Sequence, residues 1–148
     1  MRAASLLALL ALVVPGASAS ALEAGDAITL TSNGVGLTVL SVQRPDPETV
    51  DLVAQRTKAN AASFCGDYKG LTPGSKKWDV CVSEHVSTGV HRITVKCGAA
   101  TILVTNDKGG SGSYRRPADG GPWVSEADPN TIIHVDDLFE AACRRPAP

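Results

Sequence analysis

Alternation of apolar and polar positions is strongest between Trp78 and Cys97, in the stretch WDVCVSEHVSTGVHRITVKC. Its valines and Ile93 are β-branched, and such residues suit a pleated, half-buried surface. Ser87-Thr88-Gly89 is a three-residue connection that ends in glycine, which can take the positive φ of a bulged hairpin loop. The pattern therefore predicts a central β-hairpin with a cysteine near each end.

Three further segments carry strand patterns. Ala27 to Val42 contains the pair Asn33-Gly34, a strong hairpin signal because both residues tolerate positive φ. Ala100 to Thr105 and Thr131 to Val135 are short apolar runs rich in β-branched residues. Together with the central hairpin, these segments predict antiparallel β-hairpins.

The apolar spacing becomes helical after Arg44. Asp46 is a suitable N-cap, Pro47 suits the first helical position, and Gly66 is a natural residue just past a helix end. One stripe recurs at helical spacing between them: Val50, Val53, Ala54, Thr57, Ala61 and Phe64. The pattern predicts one main amphipathic helix that ends at about Cys65.

A second, short helix is predicted from Asp136 to Cys143, with Leu138, Phe139 and Ala142 as its apolar face. The two acidic residues at its start favour the positive end of the helix dipole. The predicted fold class is therefore α+β, in which antiparallel hairpins pack against one main helix and a short C-terminal helix.

The first twenty residues, MRAASLLALLALVVPGASAS, resemble a secretory signal peptide. One positive charge precedes an apolar run from Leu6 to Val14, and Ala17-Ser18-Ala19 fits the small-residue rule for cleavage before Ser20. The apolar run is too short to span a bilayer, and no later segment is apolar enough to do so. We expect residues 1–19 to be cleaved, and 20–148 to form one exported domain, bacterial in style and periplasmic or secreted.

The four cysteines all lie in the predicted mature chain: Cys65, Cys81, Cys97 and Cys143. An even number in an exported protein indicates two disulfides, for which three pairings exist. The favoured pairing is Cys65 with Cys81, which ties the main helix to the central hairpin, and Cys97 with Cys143. A zinc site is the competing interpretation, but no two cysteines have the short spacing that zinc sites favour.

Composition excludes some classes of partner. The formal net charge is -1, so electrostatics does not favour nucleic acid or an anionic membrane. With only two Trp, two Tyr and two Phe, a stacking platform for single strands is not expected. The expected partner is an unknown protein or a cell-envelope ligand.

Catalytic motifs are missing. The chain has no G-x-S-x-G and no phosphate-binding loop, and no catalytic residue or cofactor is predicted. The weak metal candidates are His85 and His91, which would face each other across the central hairpin, with His134 or Asp136 as a third ligand. An exposed cross-strand pair of polar residues is the competing interpretation.

The stretch 106–122 is glycine-rich and is expected to form a long exposed loop, a common place for binding residues. The candidate binding residues in or beside it are Ser111, Tyr114, Arg115 and Trp123. A mobile insert without a role is the alternative interpretation.

From Cys97 onward, a strand, then Ser111-Gly112-Ser113-Tyr114, Trp123 and a late Cys143 resemble the small periplasmic inhibitors of C-type lysozyme. The resemblance implies a small β-barrel with a serine–glycine–tyrosine inhibitory loop and a terminal disulfide. It covers about a third of the chain, and the spacing from Ser111 to Tyr114 differs from the family pattern. The predicted main helix has no counterpart in that family.

These observations favour a small exported, non-catalytic protein of the bacterial envelope that binds or inhibits a partner. One rival is a small periplasmic hydrolase, which a metal could assist through His85, His91 or His134. Another rival is a structural component of the envelope.

Overall fold

The computed structural model describes residues 20–31 and 34–145. The predicted signal peptide and Asn33 of the first predicted turn lie outside these residues. The described chain forms one antiparallel sheet and three α-helices. The strands are β1 (Ala27–Ile28), β2 (Leu37–Asp46), β3 (Thr49–Gln55), β4 (His91–Lys96), β5 (Thr101–Thr105), β6 (Ser111–Arg115), β7 (Trp123–Ser125) and β8 (Ile132–Ile133). The helices are α1 (Lys58–Ser63), α2 (Lys76–His85) and α3 (Asp136–Cys143), with a π-helical turn over Phe64–Tyr68.

The strands follow one another across the sheet in chain order, and each pairs antiparallel with the next. Apolar residues from β1 through β8 meet in a single buried cluster, so the sheet curls around its own core. Alternation places them there: in β3, Val50, Leu52 and Ala54 are buried while their neighbours are partly exposed. α3 adds Leu138 and Ala142 to the same cluster.

The predicted α+β fold with one main amphipathic helix is wrong. Residues 49–55 form β3, which pairs with β2 on one side and β4 on the other. The backbone N–H of Glu48 donates to the Asp46 side chain at 2.8 Å, so Asp46 stabilises the β2–β3 turn rather than a helix start. Val50 and Val53 share a stripe at helical spacing, but in the strand they lie on opposite faces.

The predicted central hairpin is wrong in its first half. Residues 76–85 form α2, and β4 pairs instead with β3, in a register that matches Ala54 with His91, and with β5 on its other side. Ser75 caps α2 by accepting the Trp78 N–H at 3.2 Å. The valines of this segment alternate as in a strand, yet Val82 packs with Ala61 and Cys65 in a separate small core.

Residues 57–86 form a helical insert between β3 and β4, built from α1, the π-helical turn and α2. Two hydrogen bonds between Arg56 and Ser87 close its base, because the Ser87 N–H donates to the Arg56 carbonyl at 3.1 Å and the Arg56 N–H donates to Ser87 Oγ at 3.0 Å. Asn60 ties α1 to the sheet by accepting a hydrogen bond from the Thr38 hydroxyl at 2.9 Å. The insert is thus a small unit joined to the sheet at one end.

Two disulfides are present, in the pairing that the sequence favours. Cys65–Cys81 lies within the helical insert, where it joins the π-helical turn to α2. Cys97–Cys143 joins the end of β4 to the end of α3. The helix predicted over Asp136 to Cys143 is observed as α3.

The beginning of the described chain packs against α3. Ala21 and Leu22 are buried, and the Leu22 N–H donates to the Ala141 carbonyl at 3.2 Å. Within the described ranges, no helix is both long and apolar enough to cross a membrane.

Candidate functional site

A group of polar side chains around the β5–β6 hairpin lines one cavity. We call this surface the β5–β6 rim, and define it by His91 at the start of β4 and by Asn106, Ser111, Gly112 and Tyr114. Part of the stretch expected to be a long loop, residues 106–122, is strand β6, which pairs with β5 from Thr105–Ser111 to Thr101–Arg115. The rim is therefore built on paired strands and a short turn.

Tyr114 lies over the backbone of Gly112 on the inner face of β6. A Cβ atom built on Gly112 would come within 2.9 Å of Tyr114 Oη and 3.1 Å of two ring carbons. A side chain at position 112 would push the end of the tyrosine ring away, so glycine allows the ring to lie this close to the strand. The tyrosine ring packs against the main core while its hydroxyl lies at the rim.

The turn that precedes β6 is tightly hydrogen-bonded. Asn106 Oδ1 accepts the backbone N–H of Lys108 at 3.0 Å and that of Gly110 at 2.9 Å. Gly109 has φ +83°, a conformation that favours glycine. These contacts fix the turn that carries the rim.

Asp107 anchors this turn to the base of the helical insert. Its carboxylate accepts two hydrogen bonds from Arg56 Nη2, at 3.1 and 3.3 Å, and its side chain is only 5% exposed. His91 Nε2 lies 3.9 Å from the same carboxylate. A charge-assisted contact of this kind, largely withdrawn from water, holds geometry more firmly than a surface ion pair.

Burial lowers the pKa of His91 below its ordinary value. The Asp107 carboxylate opposes this shift, whereas Arg56 adds to it. His91 is therefore neutral at neutral pH. Its Nδ1 is buried and has no hydrogen-bond partner within the described chain.

Two adjoining cavities open at the rim. One of about 300 Å³ is lined by His91, Asn106, Ser111, Gly112 and Tyr114, with apolar walls from the core. The other, of about 320 Å³, shares His91 and Asn106 and extends toward Arg56 and Asp107. Each has the size of a pocket for a small group rather than for a large ligand.

The structure separates the four candidate binding residues. Ser111 and Tyr114 line the same cavity. Arg115 is exposed at the end of β6. Trp123 is fully buried in the core, where its ring lies 5.0 Å from that of Phe139 and its Nε1 donates to Asp136 at 3.2 Å. Only the first three can meet a partner without a rearrangement of the core.

The weak metal candidates lie on different elements. His85 is on α2, where its Nδ1 donates to the Cys81 carbonyl at 2.8 Å, whereas His91 begins β4. His134 and Asp136 line a separate cavity beside α3. In the described part of the chain, the one cluster of metal-ligating atoms is Cys65, Cys81 and His85, and both of its sulfurs are in the disulfide.

Sequence reasoning did not identify Arg56, Asn106 and Asp107 as parts of this site. The pattern Asn-Asp-Lys-Gly-Gly at 106–110 carries a turn signal that could have placed Asn106. Nothing in the local sequence pairs Arg56 with Asp107, because the contact spans 51 residues.

Comparison of the chain with protein-family models, with curated proteins and with solved structures finds no match.

Proposed function

We propose that this protein is a small exported, non-catalytic binding protein of the inhibitor type, and that the β5–β6 rim is its contact surface. The observation that carries the proposal is the position of the Tyr114 ring over Gly112, which places the tyrosine hydroxyl close to the β6 backbone in a cavity that Ser111 also lines. Tyrosine is enriched at binding hot spots because it combines a large apolar ring with a polar tip.

Preorganisation of the rim supports this role. The turn is fixed by Asn106, and Asp107 ties it to Arg56. A surface that is already ordered loses little conformational entropy when a partner binds. Such a rim suits recognition of a protein partner by an ordered hairpin.

The resemblance to periplasmic inhibitors of C-type lysozyme suggests the partner. That resemblance implies a small β-barrel, and the curled antiparallel sheet agrees with it better than the α+β fold does. It also implies an inhibitory loop with serine, glycine and tyrosine; the corresponding Ser111, Gly112 and Tyr114 lie here in strand β6 rather than in a loop. We therefore propose a C-type lysozyme as the first partner to test, with the periplasm or the secreted fraction as the location.

The test is inhibition of a C-type lysozyme by the purified, oxidised mature protein. We expect inhibition by the unaltered chain and a loss of at least about 30-fold in affinity for Tyr114→Ala, because a hot-spot tyrosine contributes about 2 kcal/mol or more. Ser111→Ala should weaken inhibition less, since a single neutral hydrogen bond contributes about 1 kcal/mol.

Ser113→Ala is the matched control, because Ser113 lies in the same strand and its hydroxyl donates to Glu126 on the outer side of the sheet. We expect this variant to inhibit as well as the unaltered protein. Absence of inhibition by the unaltered chain would reject the lysozyme partner. Equal loss for Ser113→Ala and Tyr114→Ala would reject the rim as the contact surface.

A hydrolase is less well supported by the same residues. His91 and Asp107 could form a base with an orienting carboxylate, but such a base must also reach a nucleophile. Within residues 20–31 and 34–145, no hydroxyl or thiol forms a hydrogen bond with His91 Nδ1.

A further inference from the structure

The helical insert brings three metal-ligating side chains to one point. Cys81 and His85 are four residues apart on α2, so they lie on the same face of the helix. Cys65, on the π-helical turn, meets them there. The two sulfur atoms and a ring nitrogen of His85 all lie within 4.8 Å of one another.

We propose that this cluster binds a divalent zinc ion when the Cys65–Cys81 disulfide is reduced. Two thiolates and one imidazole are a ligand set that zinc accepts, with water in the fourth position. The site would exist only in the reduced protein, because the sulfurs of a disulfide are not thiolates.

The geometry needs only small adjustments. Two thiolates bound to one tetrahedral zinc ion lie about 3.8 Å apart, given zinc–sulfur bonds of about 2.3 Å. Cys81 Sγ already lies 3.9 Å from His85 Nδ1, close to the separation of two ligands of one ion. The Cα atoms of the two cysteines are 6.1 Å apart, so rotation of the side chains can separate the sulfurs without moving the helices.

His85 must give up one contact to bind. Its Nδ1 now donates to the Cys81 carbonyl at 2.8 Å, so the proton must move to Nε2 before Nδ1 can coordinate. The Phe64 ring lies 4.9 Å from the imidazole and restrains it on one side. Since His85 is only partly buried, an ion can reach it from solvent.

The redox step balances with a dithiol as the reductant. The dithiol transfers two electrons and two protons to the Cys65–Cys81 bond and becomes a disulfide itself. Zinc then displaces one proton from each of the two thiols. Exchange with an oxidised disulfide, which takes up two electrons and two protons and becomes a dithiol, would re-form the Cys65–Cys81 bond and release the ion. The insert would then exchange a metal for a disulfide as its internal link.

The second disulfide provides a matched control. In the part of the chain that the structure describes, Cys97 and Cys143 have no third ligand within the same distance. The variant Cys97→Ser/Cys143→Ser keeps the cluster, whereas Cys65→Ser/Cys81→Ser keeps an equal number of thiols without it. The two variants differ only in where the thiols lie.

The experiment is a titration of both fully reduced variants with Co²⁺ as a spectroscopic substitute for zinc, followed by competition with Zn²⁺ and native mass spectrometry. We expect one ion per molecule and thiolate-to-metal absorption only in the variant that keeps Cys65 and Cys81. The same variant, oxidised, should bind none. In the variant that keeps Cys65 and Cys81, His85→Asn should lower the affinity for the ion at least about tenfold, because even residues that only support a metal ligand contribute that much. His134→Asn should leave this affinity unchanged.

Circular dichroism of the reduced variant, with and without zinc, accompanies the titration. Either of two results would support the proposal. One is recovery of helical signal when zinc is added, and the other is binding of the ion to an insert that is already folded. Equal binding by the two variants, no binding by the variant that keeps the cluster, or no effect of His85→Asn would overturn it.

Discussion

The curled sheet and the helical insert bury very different amounts of apolar surface. Among the described residues, the sheet encloses fifteen buried residues in one cluster, which includes Trp123, whereas the insert has a core of three, Ala61, Cys65 and Val82. Each region holds one disulfide. The sheet can be stable through packing, whereas the insert depends on its disulfide and its base.

This difference in buried apolar surface explains why the β5–β6 rim is rigid. The β5–β6 rim stands on the deep core and is tied by Asp107 to Arg56 at the base of the insert. The insert exposes part of its aromatic surface, including Tyr68, which is 56% exposed. Small cores open locally at low free energy, so we expect the insert to open before the sheet.

The largest expected effect is in the sheet core. Trp123→Ala should lower the free energy of unfolding by about 3–5 kcal/mol, because it leaves a large cavity in a close-packed interior. Urea denaturation followed by circular dichroism measures this. Ile132→Ala is the control on neighbouring β8, where the side chain is 50% exposed, and it should change stability by less than about 0.5 kcal/mol. Similar losses of unfolding free energy for the two variants would contradict the burial of Trp123 in the core.

Removal of each disulfide should affect a different region. For loops of 16 and 46 residues, the chain-entropy model gives about 3 and about 4 kcal/mol. Cys65→Ser/Cys81→Ser should accelerate amide hydrogen exchange in 58–85 and leave β3 to β6 protected. Cys97→Ser/Cys143→Ser should lower the stability of the whole sheet, because it frees α3. Loss of protection throughout the chain in the first variant would show that the insert is not a separate unit.

A smaller effect is expected from pH. The pKa of His91 in the folded protein is lower than in the unfolded chain, so the unfolded state binds more protons as the pH falls. Its contribution to stability is complete above about pH 6.5 and decreases as the pH falls toward the folded-state pKa.

Urea midpoints measured between pH 8 and pH 5 test this dependence. Most carboxylates remain ionised there, so His91→Gln should flatten the curve. Asp107→Asn removes the carboxylate that raises the His91 pKa, and the decrease should then extend to lower pH. If the pH dependence of the urea midpoint is unchanged in His91→Gln, His91 is not the source of that dependence.

The smallest effect is expected at the surface of the insert. The Tyr68 ring stacks on Phe64 with centroids 5.2 Å apart, and Lys69 Nζ lies 5.6 Å from the Tyr68 centroid. Tyr68→Ala should cost less than about 1.5 kcal/mol, since both contacts are exposed. Hydrogen exchange should show the change within the insert only. A loss of unfolding free energy as large as that of Trp123→Ala would contradict the difference in burial between the sheet and the insert.

Short elements were predictable from the sequence where local signals agreed. The strand near Thr101 and the helix that begins at Asp136 are observed almost as predicted, because turn residues bound both segments. The disulfide pairing was favoured correctly, although Cys81 lies on α2 and not on the predicted hairpin. In the structure Cys65 reaches Cys81 on a helix, not on a hairpin.

The predictions of a main helix and a central hairpin were wrong because helical and strand periodicities overlap in these segments. Val50, Val53 and Ala54 fit helical spacing, while Val50, Leu52 and Ala54 fit a strand. The pairing of β3 with both neighbours decides between them, and that pairing is non-local. In α2, the Ser75 cap and the contacts with Cys65 outweigh the alternating valines.

The site was partly predictable. Ser111 and Tyr114 were singled out, and both line the rim. Trp123 was grouped with them through its place in a glycine-rich stretch, but it is a core residue. Contacts over long sequence separations, such as that of Arg56 with Asp107, leave no local pattern.

The most direct test of the proposed function is calorimetric titration of a C-type lysozyme with the mature protein and two variants. Gly112→Ala keeps every functional group of the rim but displaces the Tyr114 ring, whereas Cys65→Ser/Cys81→Ser disturbs only the insert. We predict that Gly112→Ala weakens binding, because the end of the Tyr114 ring must shift to make room for the new methyl group, and that the insert variant binds as the unaltered protein does. Full binding by Gly112→Ala, or binding lost only with the insert disulfide, would contradict the account.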